Sequence, residues 1–174
     1  MESLSDIDFR NYYENKHAPL ASSLLTLEGY ERNYVNSELN PLYASLGSIS
    51  IFQYQSMQSL EIVDKEMSSS AGDKLRNDEL KFMNVAKNYH VLTQSDQLTK
   101  NKFKKKIFYS FKNDEDLNLL DAYDGLEKIS DNLLVEPKEV IGISEYGIMQ
   151  GISVEILETL VSDHPRAIIA SCVD

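Results

Sequence analysis

The sequence predicts an α+β protein in which helices pack against antiparallel strands. In each half of the 174-residue chain, segments with apolar residues at helical spacing alternate with short segments whose side chains alternate every second residue. Hydrophobic residues make up 42% of the chain, which is enough for a substantial core. This length fits one domain, or two small halves that share a core.

Composition and charge narrow the functional classes. The net charge of -11 argues against a nucleic acid or an anionic membrane surface as partner. A basic run at 100–106 is the exception, and we interpret it as a solvated linker or strand flank. A single cysteine, Cys172, excludes an intramolecular disulfide and a cysteine-rich zinc site, and we expect a packed thiol. No apolar leader or membrane-length segment is visible, so we expect a cytoplasmic protein.

The first predicted element is a helix that begins after Ser5. Ser5 and Asp8 have the spacing of a capping box, in which side chains satisfy the free N–H groups of the first turn. Pro19 is expected to kink this helix rather than end it, because an apolar run continues to about Leu27. Gly29 then supplies a turn.

The remaining elements follow the same reasoning from spacing. In the first half we predict strands at 30–36, 48–55 and 89–94, with a mostly helical region at 59–86 that is interrupted at 68–72. A linker is predicted at 97–102. In the second half we predict a strand at 106–111, a helix from Asp114 through Leu117, Leu120, Leu126 and Ile129, a strand at 140–149, a helix at 154–161 and a strand at 167–173.

An aromatic stripe on the first helix contains the most informative polar groups. Phe9, Tyr13, His17 and Leu20 lie at steps of four, four and three residues, so they share one helix face. A phenol and an imidazole on an otherwise apolar face need hydrogen-bond partners when they are buried. This face is therefore expected to pack over groups, water or a ligand that can satisfy them.

This region resembles the EthD family. The resemblance rests on residues 9–21, FRNYYENKHAPLA, where a Tyr-Glu pair leads into His-x-Pro-Leu, and on residues 29–35, GYERNYV, which match a Gly-x-x-x-Asn strand. Residues 51–60 look like the family's third strand entering its second helix, residues 77–83 like its Asp-Glu-x-x-Phe helix, and residues 89–93 like its closing strand. The resemblance covers about residues 5–98.

The resemblance implies a ferredoxin-like βαββαβ unit that pairs with a second unit into a dimeric α/β barrel, with a pocket between sheet and helices. The family is associated with degradative oxidation of small organic molecules. A departure is that the family unit opens with a strand, whereas only residues 1–5 precede the helix here. Either the strand at 106–111 fills the vacant place, or residues 103–174 form a degenerate second half. We favour the second explanation, with residues 1–98 as the EthD-like half, so that one chain resembles the family's dimer; a homodimer remains open.

His17 is the best candidate for chemistry. An imidazole changes charge near neutral pH, so it can take a proton from an acidic carbon or hydroxyl and return it. The alternative is that His17 caps the helix before Pro19. Tyr13, one turn earlier, is a candidate for orienting a substrate oxygen, and the alternative is a ring that only packs.

The strand that follows supplies candidate substrate-binding residues. Tyr30, Arg32 and Tyr34 share one strand face, where an arginine between two tyrosines would bind an anionic oxygen well. The alternative is that Arg32 pairs with a carboxylate on a wet face. Asn33 belongs to the opposite face, so it competes with Arg32 and Tyr34 for the role of lining a pocket.

The sequence favours an EthD-like protein that binds a small hydrophobic or aromatic molecule. It carries no His or Cys pair at metal-ligand spacing, no Gly-x-Gly-x-x-Gly or phosphate loop and no Gly-x-Ser-x-Gly motif, so we expect no cofactor. The reaction would be a cofactor-independent oxidation, a decarboxylation or a dehydration. The alternative is a non-catalytic small-molecule-binding or structural dimerisation module.

Overall fold

The helix predicted after Ser5 is present and contains an irregular turn. The computed structural model describes residues 4–95, 102–137 and 139–173. Helix α1 spans Asp6–Tyr12, and the Ser5 hydroxyl accepts a hydrogen bond of 3.1 Å from the backbone N–H of Asp8, which confirms the predicted cap. A π turn at Tyr13–His17 leads directly into helix α2, Ala18–Leu24.

The π turn accommodates Pro19. The N–H of Ala18 donates to the carbonyl of Tyr13, five residues earlier, instead of to the carbonyl four residues earlier. Proline offers no N–H and its ring crowds the preceding turn, and a widened turn is one way for a helix to continue through it. The helix therefore continues past Pro19 as predicted, although it ends at Leu24 and not at Leu27.

The other elements follow in chain order. They are β1 (Gly29–Val35), β2 (Ser48–Gln53), α3 (Met57–Met67), α4 (Ser70–Glu79), β3 (Thr93–Ser95), β4 (Lys105–Phe111), β5 (Leu126–Leu134), β6 (Gly142–Ile148), α5 (Val154–Asp163) and β7 (Ala167–Val173). Short 3-10 turns lie at Pro41–Tyr43, Val85–Lys87 and Leu119–Ala122. None of the described helices combines the length and the apolar character that crossing a bilayer requires.

One predicted element is wrong, and another is shorter than predicted. The helix expected from Asp114 is replaced by a 3-10 turn at Leu119–Ala122 and by strand β5, and Gly125, with a positive φ of 85°, lies immediately before that strand. The apolar spacing there fitted a helix, but residues 126–134 find backbone partners in β6 and β3. The strand expected at 89–94 begins only at Thr93. Most of the predicted linker, residues 97–101, lies outside the described residues.

The seven strands form one sheet in the order β2-β1-β7-β4-β6-β5-β3. The neighbouring pairs β1–β7, β7–β4, β4–β6, β6–β5 and β5–β3 are antiparallel. The α+β class is therefore confirmed. Side chains alternate across β4: Ile107 and Tyr109 face the apolar core, while Lys106 and Phe108 face the other side of the sheet.

The chain folds as two compact units. The first comprises Met1–Tyr30 and Ile51–Tyr89, and the second comprises Glu31–Ser50 and His90–Asp174. The first unit buries Tyr13, Ala18, Ala21, Val63, Leu75 and Phe82. In the second unit, Leu157 and Leu160 of α5 pack in the core with Ile107 and Tyr109 of β4. The predicted division into tandem halves at 98–103 stays a prediction.

Gly142 offers a test of how tightly the second unit is packed. It lies opposite the buried Phe111 across the β4–β6 pair, and a Cβ atom at position 142 would overlap that ring. We expect Gly142→Ala to lower the free energy of unfolding by about 1–3 kcal/mol, because the core cannot expand to admit the methyl group. Urea denaturation followed by circular dichroism measures this loss. In a Phe111→Leu background the added cost should be smaller. An equal cost in both backgrounds would contradict overlap with the Phe111 ring as the cause, and would leave the 2.9 Å approach to the carbonyl oxygen of Asn132.

Candidate functional site

His17 is a buried side chain at the end of the π turn. It is 5% exposed, and its Nδ1 lies 3.1 Å from Oδ2 of Asp78, which helix α4 supplies. The imidazole ring packs between aromatic rings, with centroid distances of 4.9 Å to Phe82 and 5.0 Å to Tyr13. Asp78 belongs to α4 and Phe82 to the turn that follows it, and both contact His17.

Asp78 is held as a carboxylate. Its Oδ1 accepts hydrogen bonds of 2.8 Å from the Tyr12 hydroxyl and 3.1 Å from Lys81 Nζ. Burial disfavours the charged form of Asp78, but the hydrogen bonds from Tyr12, His17 and Lys81 outweigh it and lower the pKa of the carboxyl. The partner of His17 is therefore an anion at neutral pH.

This anion fixes the protonation pattern of a neutral His17. An ionised carboxylate can only accept hydrogen bonds, so Nδ1 must carry the ring proton and Nε2 must keep its lone pair. Among the described residues, no hydrogen-bond partner contacts Nε2. The His17 side chain makes no capping hydrogen bond with α2, so the alternative role as a helix cap is wrong.

Tyr13, whose ring contacts His17, is hydrogen-bonded to a second tyrosine. The Tyr30 hydroxyl donates a 2.9 Å hydrogen bond to the Tyr13 hydroxyl, and the Tyr30 ring stacks on Phe52 at a centroid distance of 4.6 Å. Tyr13 is 4% exposed. The structure thus brings three of the predicted site residues, Tyr13, His17 and Tyr30, into one group within the first unit.

The other three predicted site residues, Arg32, Asn33 and Tyr34, belong to the second unit. All three are buried, so Arg32 does not lie on a wet strand face. Strand alternation places Asn33 on the face opposite to Arg32 and Tyr34, as predicted. Asn33 donates from Nδ2 to Oε1 of Glu31 at 2.9 Å and to the carbonyl of Ile49 at 3.2 Å.

Asn33 is part of a buried group of charged and polar side chains. Lys106 Nζ donates to Oε1 of Glu31 at 2.6 Å and to Oε1 of Glu145 at 2.9 Å. The Lys106 side chain is 2% exposed, although the sequence suggested a solvated basic run. The same oxygen of Glu31 therefore accepts from both Lys106 and Asn33. We call Glu31, Asn33, Lys106 and Glu145 the Lys106 cluster.

The charges of the Lys106 cluster depend on each other. Burial favours the neutral form of Lys106, but attraction to Glu145 and the hydrogen bonds to both carboxylates outweigh it and raise the pKa of the amine. Burial raises the pKa of Glu145, and Lys106 offsets this only in part. Lys106 is therefore an ammonium ion that donates hydrogen bonds, and not an amine nucleophile.

Sequence reasoning missed Asp78 and Lys106. The available signal for Asp78 was its spacing with Phe82 on one helix face, inside the segment that resembles the EthD helix. The signal for Lys106 was its place two residues before Phe108, on one face of a predicted strand that is mostly apolar from Ile107 onward. Neither signal identifies the partner, because Asp78 and Glu145 are distant in sequence from His17 and Lys106.

No protein-family model, curated protein or solved structure matches this chain. The resemblance to the EthD family therefore stays a prediction. Within residues 4–95, 102–137 and 139–173, no group of three histidine, cysteine, aspartate or glutamate side chains has the arrangement to hold a metal ion.

Asp78→Asn should destabilise the protein in a pH-dependent way. The folded-state pKa of Asp78 is lowered, so its contribution to stability is present above the unfolded pKa of about 4 and is lost as pH falls through the folded value. We expect a loss of about 1.5–3 kcal/mol near pH 7 and a smaller loss near pH 3, measured by urea denaturation. The control is Asp73→Asn on the same helix, whose carboxylate is 69% exposed. An equal loss for Asp78→Asn at both pH values would contradict the lowered pKa.

Lys106→Met should destabilise the second unit strongly. It leaves Glu31 and Glu145 buried together without their shared cation, and we expect a loss of about 3–5 kcal/mol near neutral pH. The loss should shrink toward pH 4, because protonated carboxyl groups cost less to bury. Urea denaturation at both pH values measures it. Lys102→Met is the control, since Lys102 pairs with Glu127 at an exposed site and should change stability by less than about 1 kcal/mol.

Proposed function

We propose that this protein binds a small hydrophobic or aromatic molecule and that His17 removes a proton from it as a general base. The observation that supports this most directly is the buried hydrogen bond between Asp78 and His17 Nδ1. It leaves Nε2 as the only proton-accepting atom of the ring.

The pairing of a carboxylate with an imidazole is suited to acid–base chemistry. The carboxylate selects the tautomer, fixes the ring orientation and stabilises the imidazolium that forms when Nε2 accepts a proton. Cofactor-independent oxygenation and dehydration begin with removal of such a proton and stabilisation of the resulting anion. In a decarboxylation the C–C bond breaks first with loss of CO₂, and the protonated imidazole then gives a proton to the anion that remains. The proposal therefore covers an oxidoreductase or a lyase that needs no bound cofactor.

The surroundings of His17 favour an aromatic ligand. Phe82 packs against His17, and its ring also lies 4.9 Å from Tyr12 and 5.7 Å from Phe9. Flat rings of this kind stack on or pack edge-on against a planar molecule. In this proposal Tyr13, whose hydroxyl accepts from Tyr30, positions a substrate oxygen.

The substrate-binding role proposed for the strand residues Arg32, Asn33 and Tyr34 remains part of the proposal. Arg32 and Tyr34 carry polar groups on one face of β1, and Asn33 carries an amide on the other face whose nitrogen already donates to Glu31 and Ile49. Replacing these three side chains one at a time would show which face of β1 contacts the ligand.

We further infer an EthD-like arrangement of two ferredoxin-like halves in one chain. In the second half, β7, β4, β6 and β5 are adjacent in the order fourth, first, third and second strand, which is the order of a βαββαβ unit. The second strand of the first half, β1, borders β7, and its last strand, β3, borders β5. This reciprocal pairing supports two related halves that contribute strands to one sheet.

The second half departs from the βαββαβ pattern at one element. A 3-10 turn at Leu119–Ala122 stands where the first helix of that unit would be. The strand pairing of β4 with β6 and β7 is unaffected, so the loss of this helix is compatible with a degenerate half. Under this proposal the protein acts in the cytoplasm as a monomer or a homodimer.

A second candidate function is a non-catalytic module. Asp78 also accepts hydrogen bonds from Tyr12 and Lys81, an arrangement that can simply tie α1 and the π turn to α4. In that case His17 contributes to stability and transfers no proton.

Nuclear magnetic resonance of the histidine nitrogens tests the base directly. We expect ¹⁵N shifts of neutral His17 typical of a protonated Nδ1 and an unprotonated Nε2, and a loss of this preference in Asp78→Asn. A ring that carries its proton on Nε2 in the wild-type protein would contradict the proposal.

Deuterium exchange tests the chemistry. β-Tetralone, an aromatic ketone with an acidic methylene group, is incubated in D₂O with the protein, and exchange is followed by proton NMR. We expect the wild-type protein to accelerate exchange and His17→Gln to reduce the acceleration at least about 100-fold, with a smaller reduction in Asp78→Asn. The exposed neighbour Lys16→Gln is the matched control and should behave as wild type. Exchange that does not depend on His17 would favour the non-catalytic module.

A further inference from the structure

The Lys106 cluster has hydrogen-bonding capacity that no described residue uses. Asn33 is fully buried, and its Oδ1 has no hydrogen-bond partner within the described part of the chain. Glu31 and Glu145 each direct Oε1 to Lys106, and no described group donates to either Oε2. Three acceptor atoms of the cluster thus have no donor among the described residues, one of them on the fully buried Asn33.

The orientation of the Asn33 amide is determined by its neighbours. Its Nδ2 lies 2.9 Å from a carboxylate oxygen of Glu31 and 3.2 Å from the carbonyl oxygen of Ile49, and both of these can only accept. Reversing the amide would bring its oxygen against two acceptors. The unpartnered atom is therefore the oxygen, and its missing partner must be a hydrogen-bond donor.

The net charge of the Lys106 cluster indicates that the missing hydrogen-bond donor is a cation. The cluster contains two carboxylates and one ammonium ion, a formal excess of one negative charge at a buried position. Small amounts of accessible surface remain on the carboxylate side chains, 12% for Glu31 and 9% for Glu145, whereas Lys106 retains 2%. A ligand would therefore approach from the carboxylate side.

We propose that the Lys106 cluster is a binding site for the primary ammonium group of a small molecule. The ligand's N–H groups donate to Asn33 Oδ1 and to the second oxygens of Glu31 and Glu145. Its positive charge neutralises the cluster. Lys106 is not displaced, because it bridges one oxygen of each carboxylate and leaves the second oxygen of each to the ligand.

The roles of the residues differ. Glu31 and Glu145 supply the charge, and Asn33 supplies an uncharged acceptor that requires an N–H donor and gains nothing from a cation without one. This difference makes the site selective for a protonated amine over a quaternary amine of the same charge. The ammonium site does not require proton transfer by His17, and it gives Asn33 a different partner from the substrate considered for it above.

The test is a titration of the ¹⁵N-labelled protein with methylammonium chloride, followed by NMR. Signals of the Asn33 side-chain amide and of the backbone amides of β4 and β6 report on the cluster. The titration is run near pH 8, because burial raises the pKa of Glu145. Tetramethylammonium chloride at the same concentrations is the matched probe, since it carries the charge and has no N–H group.

The proposal predicts saturable shifts with methylammonium and none with tetramethylammonium. Glu145→Gln and Asn33→Leu should each weaken methylammonium binding at least about tenfold, read from the backbone amides. Glu127→Gln removes a carboxylate that is 47% exposed and pairs with Lys102, and it should bind as wild type. This control has the same charge change as Glu145→Gln.

Each other outcome would overturn the proposal. Equal responses to the two probes would mean that only bulk ionic strength is sensed. Non-saturating shifts, or shifts that survive in both Glu145→Gln and Asn33→Leu, would mean that methylammonium does not bind at the Lys106 cluster. The comparison of the two probes on the wild-type protein decides the question even if a variant fails to fold.

Discussion

The carboxylate of Asp78 connects three segments of the first unit. Tyr12 reaches it from the end of α1, His17 from the π turn, and Lys81 from the turn after α4. A buried carboxylate without such donors would take up a proton or destabilise the fold, so these contacts depend on one another. The same set of contacts keeps the carboxyl ionised and thereby sets the protonation pattern of His17. The carboxylate of Asp78 therefore contributes both to the stability of the fold and to the proposed chemistry.

Local signals in the sequence predicted much of the fold. The cap at Ser5, the continuation past Pro19 and the carboxyl-terminal helix and strand depend on neighbouring residues, and the structure bears them out. The helix expected from Asp114 failed for the opposite reason. Residues 126–134 have apolar spacing compatible with either structure, and distant backbone partners in β3 and β6 decide in favour of a strand.

The residues of the candidate site also fall into those that local spacing predicts and those that depend on distant partners. His17 and Tyr13 could be selected from one helix face, and their ring contact follows from their spacing. Asp78 could not be assigned to His17, because nothing in the intervening chain specifies that α4 returns to the π turn. Lys106 was grouped with its basic neighbours, yet alternation along β4 separates it from Lys105 and turns it into a buried ion. Partners that are remote in sequence are determined by topology.

Because of the π turn, the number of residues in the amino-terminal helix determines which side chains of α2 are buried. Each residue added to or removed from a helix rotates all later side chains by roughly 100° about its axis. The widened turn at Tyr13–His17 therefore sets the angular offset between α1 and α2. Shortening this turn by one residue would rotate Ala18 and Ala21, the small buried residues of α2, away from the interior and replace them with larger neighbours. The spacing between the two helices is thus constrained by backbone geometry, separately from the identity of any side chain in the turn.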